Sequence, residues 1–142
     1  MKKELRELLK DRYPAVYRDC TGWAFSDGWF GILNVLGEQL TNIASTEKRA
    51  PTAIIYMKEK YAQLSIFADG ATSRDYQAIE FAEAMSAVIC EACGKPGRMV
   101  KRGGWYSTMC PEHQGLSARE VERQELTYDG PTDPLDQDPP EV

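Results

Sequence analysis

The chain has 142 residues, 42% of them hydrophobic, with three tryptophans, enough for one domain with a real core and too apolar for disorder throughout. No apolar run approaches the roughly 18 residues of a membrane span, and the charged start MKKELRELLKDRY lacks the apolar centre of a signal peptide. The formal charge of −5 belongs to one end: residues 129–142 hold five acids and no base, leaving 17 acids against 17 bases in residues 1–128. A cytoplasmic protein with no membrane attachment is expected, its cysteines serving as ligands or buried thiols rather than disulfides.

In chain order, Leu5, Leu8 and Leu9 share one face of a predicted helix over residues 2–12, which Pro14 stops. Tyr13, Val16 and Tyr17 form the bend onto the core. Cys20 reads as a buried thiol; a nucleophile would need a base, and the single histidine is claimed elsewhere. Ser26 or Asp27 caps the next helix, about 27–44, in which Trp29, Leu33, Leu36, Leu40 and Ile43 form an apolar stripe widened by Phe30, Ile32 and Val35. That helix reads as core, and an exposed docking face made by Trp23, Trp29 and Phe30 is the functional alternative.

Two β-rich segments, Thr52 to Met57 and Gln63 to Ala68, predict an antiparallel hairpin over about 52–68, with the Lys58-Glu59-Lys60 run in the turn between them. The second segment alternates and the first does not, as expected of a strand covered on both sides. Charges in such a turn are ordinarily solvated; contact with an anion is the alternative. A further helix, about 73–89, carries Tyr76, Ile79, Ala82, Met85 and Ile89 on one face and runs straight into Cys90.

From Cys90 the pattern changes. Cys90-Glu91-Ala92-Cys93-Gly94 and Cys110-Pro111-Glu112-His113 stand sixteen residues apart, as two ligand pairs with the spacing of a structural zinc site. Each pair presents two donors to one ion, and two short strands on either side of Arg102-Gly103-Gly104 bring the pairs together. The expected cofactor is one structural Zn2+ held by Cys90, Cys93, Cys110 and His113. Four protein ligands leave no open coordination position, and neither a phosphate loop nor a nucleophile–base set occurs, so no enzymatic activity is expected. The ribbon also carries Lys95, Arg98, Lys101 and Arg102 beside Trp105 and Tyr106, a basic and aromatic combination suited to single-stranded nucleic acid, although Trp105 is expected to pack on the metal knuckles.

Residues 116–127 predict a short helix with a capping-box start, and 128–142 an acidic, proline-rich, disordered tail whose functional alternative is a decoy for a basic partner. The expected organisation is therefore an α+β core over 1–89, a zinc ribbon over 90–115, the short helix and the tail.

These pieces resemble a family of small bacteriophage and prophage proteins that has no established activity. The matching residues are Asp27-Gly28-Trp29, Lys58-Glu59-Lys60-Tyr61, Ala82-Glu83 with Ser86, Cys90-Glu91-x-Cys93-Gly94-x-x-Gly97 and Gly104-Trp105-x-x-Thr108-x-Cys110-x-x-His113. The family follows the Lys-Glu-Lys-aromatic run with Gly-Gly-Leu-Arg; here Ala62-Gln63-Leu64-Ser65 stand instead. The resemblance implies a phage or prophage accessory protein in the host cytoplasm that binds a host or phage protein, inhibition of a host-defence component being one form of this. A nucleic-acid-binding ribbon and, third, a nucleotide-binding protein using the Lys58–Lys60 turn and the helix starts are the alternatives. The residues that would form a binding surface are Lys58, Lys60, Arg98, Lys101, Arg102, Trp105, Tyr106, Trp23 and Trp29.

Overall fold

The computed structural model of the chain describes residues 1–115; the predicted helix at 116–127 and the tail at 128–142 lie outside them. Helix α1, Lys3–Arg12, buries Leu9 fully and half-buries Leu5 and Leu8. The expected bend after it is itself a one-turn helix, α2, Pro14–Tyr17, opened by the proline, whose missing N–H costs nothing in a first turn. Val16 and Tyr17 of α2 are buried, and the Tyr17 hydroxyl donates to the Leu33 carbonyl at 2.5 Å. Burial pushes the Tyr17 phenol well above its ordinary value, as expected for a hydroxyl kept as a neutral donor.

A 3-10 turn, Asp27–Trp29, leads into α3, Phe30–Thr46. Neither Ser26 nor Asp27 caps this helix with its side chain, contrary to expectation. The Asp27 carboxylate instead accepts the Lys2 amide at 2.7 Å and pairs with the Lys2 ammonium at 3.7 Å, which ties the start of α1 across the turn. The predicted stripe of α3 is buried from Trp29 to Ile43, but Val35 points to solvent. Gly37 sits where α3 crosses the first helices, since a Cβ there would come within 2.5 Å of the Tyr13 ring.

Strands β1, Ala53–Lys60, and β2, Gln63–Asp69, pair antiparallel. Lys58, Glu59 and Lys60 belong to β1 and not to the turn, which is Tyr61-Ala62, both with positive φ. The Glu59 carboxylate holds that turn by accepting the Ala62 amide at 2.6 Å. The missing alternation of β1 also has a different cause from double coverage. The register slips between Ile54 and Tyr56, so Ile54 and Met57 face the core while Ile55 and Tyr56 face solvent. Beside β1, residues 21–24 run parallel to it through the Thr21 amide to the Ile55 carbonyl at 3.0 Å and a bridge from Ala24 to Lys58.

Helix α4, Ser73–Ser86, starts with a capping box between Thr72 and Asp75. Its buried face is Asp75, Ile79, Ala82 and Ser86; Tyr76 is exposed, and the helix stops four residues short of Cys90. Helix α4 packs on α3 and along β2, giving helices over one face of a small sheet, an α+β layer arrangement. A second hairpin, β3 Arg98–Arg102 and β4 Trp105–Met109, turns at Gly103-Gly104, both with positive φ, as a tight two-residue hairpin demands. No helix among the described residues is long and apolar enough to cross a membrane.

Candidate metal centre

Residues 87–89 carry the chain away from the end of α4 and form a bridge at Ile89 with Pro96. The loop that follows is a knuckle: the Cys90 amide donates to the Lys95 carbonyl at 2.7 Å, and the Gly94 amide donates to the Cys90 carbonyl at 2.9 Å. Gly94 adopts φ +80, the left-handed conformation that closes this turn cheaply only for glycine. At the far end of β4 the His113 amide donates to the Cys110 carbonyl at 3.0 Å, making the second knuckle.

The ligand atoms of Cys90, Cys93, Cys110 and His113 all lie within 4.8 Å of one another, and all four residues are buried. The sulfurs of Cys93 and Cys110 are 3.7 Å apart, and Nδ1 of His113 stands 3.7 Å from the Cys90 sulfur and 3.1 Å from that of Cys110. Ala92 and Met109 are buried beside the cluster, and Val100 packs on it. Burial pushes the Cys90 thiol up and the Cys93 thiol up to about 12, so a cation at the centre would supply the charge that draws off the protons. The donor set, its burial and its convergence are those of a site that can hold a single metal ion. Cys20, also buried, is a free thiol in the main core and takes no part.

The knuckle is joined to the core by backbone and side-chain hydrogen bonds. The Glu91 carbonyl accepts the Gly28 amide at 2.7 Å, and its carboxylate accepts the Ser26 amide at 3.1 Å. Burial pushes the Glu91 carboxyl up to about 7. The Trp29 indole donates to the Ile89 carbonyl at 3.0 Å. From the other side, the Glu91 amide donates to the Thr108 carbonyl at 2.9 Å, and the Thr108 hydroxyl donates to the Ala62 carbonyl at 2.7 Å. Asp27-Gly28-Trp29, the turn after Lys60 and the ribbon, which are far apart in sequence, therefore meet at one joint.

The candidate binding residues divide. Trp23 and Trp29 are buried in a run of rings, Tyr17, Trp23, Phe25 and Trp29, with neighbouring centroids 5.8–6.4 Å apart, so neither forms a docking face; Phe30 is buried as well. Trp105 corrects the expectation in the other direction: it stands at the tip of the ribbon, 80% exposed, and does not pack on the knuckles. Tyr106 lies beside it with the Lys101 ammonium 5.5 Å from its ring centroid, and Arg98 and Lys101 are exposed. Arg102 ends β3 opposite Trp105 in register. Lys95 pairs with Glu112 at 3.6 Å. Lys58 is half-buried, its ammonium 5.7 Å from the Phe67 ring centroid, and Lys60 is exposed.

Two features escaped the sequence reading. Ile55, Tyr56 and Phe67 stand exposed together on the outer side of the first hairpin, hidden from pattern reading by the bulge. Asp75, fully buried, binds Arg49 at 2.7 Å and Thr52 at 2.6 Å; its place in a capping box, three residues after Thr72, was the available signal. Comparison with known proteins finds no matching family model, curated protein or solved structure.

Proposed function

We propose that the protein is a non-enzymatic, zinc-stabilised accessory protein of phage or prophage that works by binding a host or phage protein, a host-defence component being one class of target. The observation that carries this reading is the closure of the metal cluster: four donors, all buried, converge on one point, and none is left facing solvent to bind a substrate. Zinc is the ion that a three-thiolate, one-imidazole donor set favours. A tetrahedral ion with bonds of about 2.0–2.3 Å requires its ligand atoms to be roughly 3.5–3.8 Å apart; the Cys93–Cys110 and Cys90–His113 separations are both 3.7 Å, and the Cys110–His113 pair, at 3.1 Å, has to open to admit it. The shallow groove beside the centre, about 430 Å³ in volume, is lined by Pro96, Gly97, Arg98, Met109, Pro111 and Gln114, a set without a carboxylate, imidazole, hydroxyl or thiol.

Metal analysis of the purified chain should return about one zinc per molecule. Crosslinking in host extract, followed by binding measurements with the purified partner, should return one protein that saturates the chain. Turnover of a nucleotide or peptide by the zinc-loaded chain would overturn the reading.

A second reading rests on the exposure of Trp105. A tip with an open indole, Tyr106 under Lys101, and Arg98 and Lys95 behind it suits single-stranded nucleic acid. It requires salt-dependent binding of an oligonucleotide that weakens on Trp105→Ala. The Lys58–Lys60 nucleotide reading has less to stand on, because these residues form a strand and the start of α4 is capped by its own side chains.

A further inference from the structure

We infer that the partner-binding surface is the outer face of the β1–β2 hairpin, centred on Tyr56 and Phe67, and that its partner is a protein segment carrying carboxylates around an apolar anchor. The inference deepens the protein-binding reading above and rests on it. In an antiparallel pair, directly opposed residues share a face and successive ones alternate. Tyr56 opposes Phe67, Lys58 opposes Ser65 and Lys60 opposes Gln63, so these six side chains lie on one side of the sheet, while Met57, Leu64 and Ile66 line the other against the core.

That outer side is apolar at one end and cationic at the other. Tyr56 is 42% and Phe67 49% exposed, their rings 6.0 Å apart, and the bulge turns Ile55, 46% exposed, to solvent next to them. Large apolar side chains gathered this way on a monomer mark interaction sites more often than chance, whereas isolated ones mean little. The charge on the face is divided by position. Lys58 leans over Phe67 and Lys60 follows it toward the turn. Glu59 points away to the Ala62 amide, and Asp69, on the same face two residues beyond Phe67, stands at the end opposite the lysines. A partner that buries these rings therefore meets two ammonium groups, and carboxylates on it are the complement.

Ile55 also separates this face from a nucleic-acid platform. Stacking on bases uses rings, and an aliphatic side chain beside two rings inclined at 44° adds buried apolar area that protein anchors use and bases do not. The ribbon tip with Trp105 offers a nucleic acid more than this face does.

The test uses the full-length, metal-replete chain and three fluorescent probes of about 15–20 units. These are an amphipathic Glu/Leu peptide, the same peptide with Gln for Glu, and an oligothymidylate. Saturable anisotropy binding of the acidic peptide is expected, with the Gln peptide about tenfold weaker. Tyr56→Ala and Phe67→Ala should each weaken it about tenfold or more. The double variant Lys58→Gln, Lys60→Gln, which removes both charges and keeps most of each side chain over the rings, should flatten the salt dependence. Phe81→Ala, an exposed aromatic on α4, should leave binding unchanged. Preference for the oligothymidylate, no saturable peptide binding, or self-association of the chain that Phe67→Ala abolishes would each overturn the inference. A crosslinked host protein that binds the parent and Phe67→Ala equally would remove this face while leaving the proposed function standing.

Discussion

At Gly28 a methyl group would lie 2.2 Å from the Cys90 carbonyl oxygen and 2.4 Å from that of Glu91, backbone atoms that cannot swing aside as a side chain would. The amide of the same residue donates to Glu91, so the clash falls on the joint itself. Gly28→Ala is expected to cost roughly 2–4 kcal/mol in urea unfolding, and a cost below about 1 kcal/mol would show that the joint tolerates separation. Asp75 works through charge. Burial raises its pKa, but the hydrogen bonds from Thr52, Thr72 and Arg49 outweigh burial and hold it below its ordinary value of 3.8. A depressed folded pKa stabilises the protein above the unfolded value and loses that stabilisation as pH falls through the folded one. Asp75→Asn should therefore melt well below the parent at neutral pH, and the gap should close below about pH 4. A gap that stays constant to acid pH would assign the loss to packing alone. The cluster of Cys90, Cys93, Cys110 and His113 was legible because each of its two pairs, separated by two residues, is a local object. Gly28 and Asp75 were not, because their partners, Glu91 and Arg49, lie far along the chain.

Within residues 1–115 pattern reading recovered the longer elements, took the one-turn α2 for a bend, and missed where α4 stops. Helix periodicity continues through Ile89, so the apolar pattern alone carries α4 into Cys90. The helix ends at Ser86, and the backbone beyond it serves other elements: the Val88 carbonyl accepts the Gly97 amide at 2.8 Å, and the Ile89 carbonyl accepts the Trp29 indole at 3.0 Å. The same logic explains β2, whose outer edge would otherwise offer free amides to another chain. Ser86 takes Leu64, and the Glu83 carboxylate, its pKa raised by burial, accepts the Ile66 amide. Ser86→Ala leaves the amide of a buried residue without a partner and should cost about 1–3 kcal/mol, read from thermal or urea unfolding. A neutral effect would mean that the helix end relaxes over the edge without it. The first strand misled for a comparable reason. One extra residue in β1 reverses the alternation from Ile54 to Tyr56, and composition carries no trace of a bulge.

On the scale of the whole molecule, the candidate metal centre and the core meet at one joint. Gly28 to Glu91, Trp29 to Ile89 and Thr108 to Ala62 link the knuckle to the entrance of α3 and to the turn of the first hairpin. Without an ion, the Cys90 and Cys93 thiols are buried and protonated and the knuckles lose what holds them, so the loss reaches Trp29, which is fully buried. Structural zinc contributes about 10–16 kcal/mol in zinc-finger peptides, as much as the whole stability of an ordinary domain, so if the proposed zinc occupies the cluster its removal should open more than the ribbon. Intrinsic fluorescence can report this selectively. Trp23 and Trp29 are buried while Trp105 is 80% exposed, so in a Trp105→Phe background any red shift belongs to the core. Chelation, or Cys93→Ser, is expected to shift that emission and to lower the unfolding midpoint in a single step. Two separate transitions, with core emission unchanged after the metal has gone, would mean that the ribbon is an appendage and the core folds without it. One transition would mean that metal binding and core folding are one event, coupled through the hydrogen bonds of Gly28, Trp29, Glu91 and Thr108.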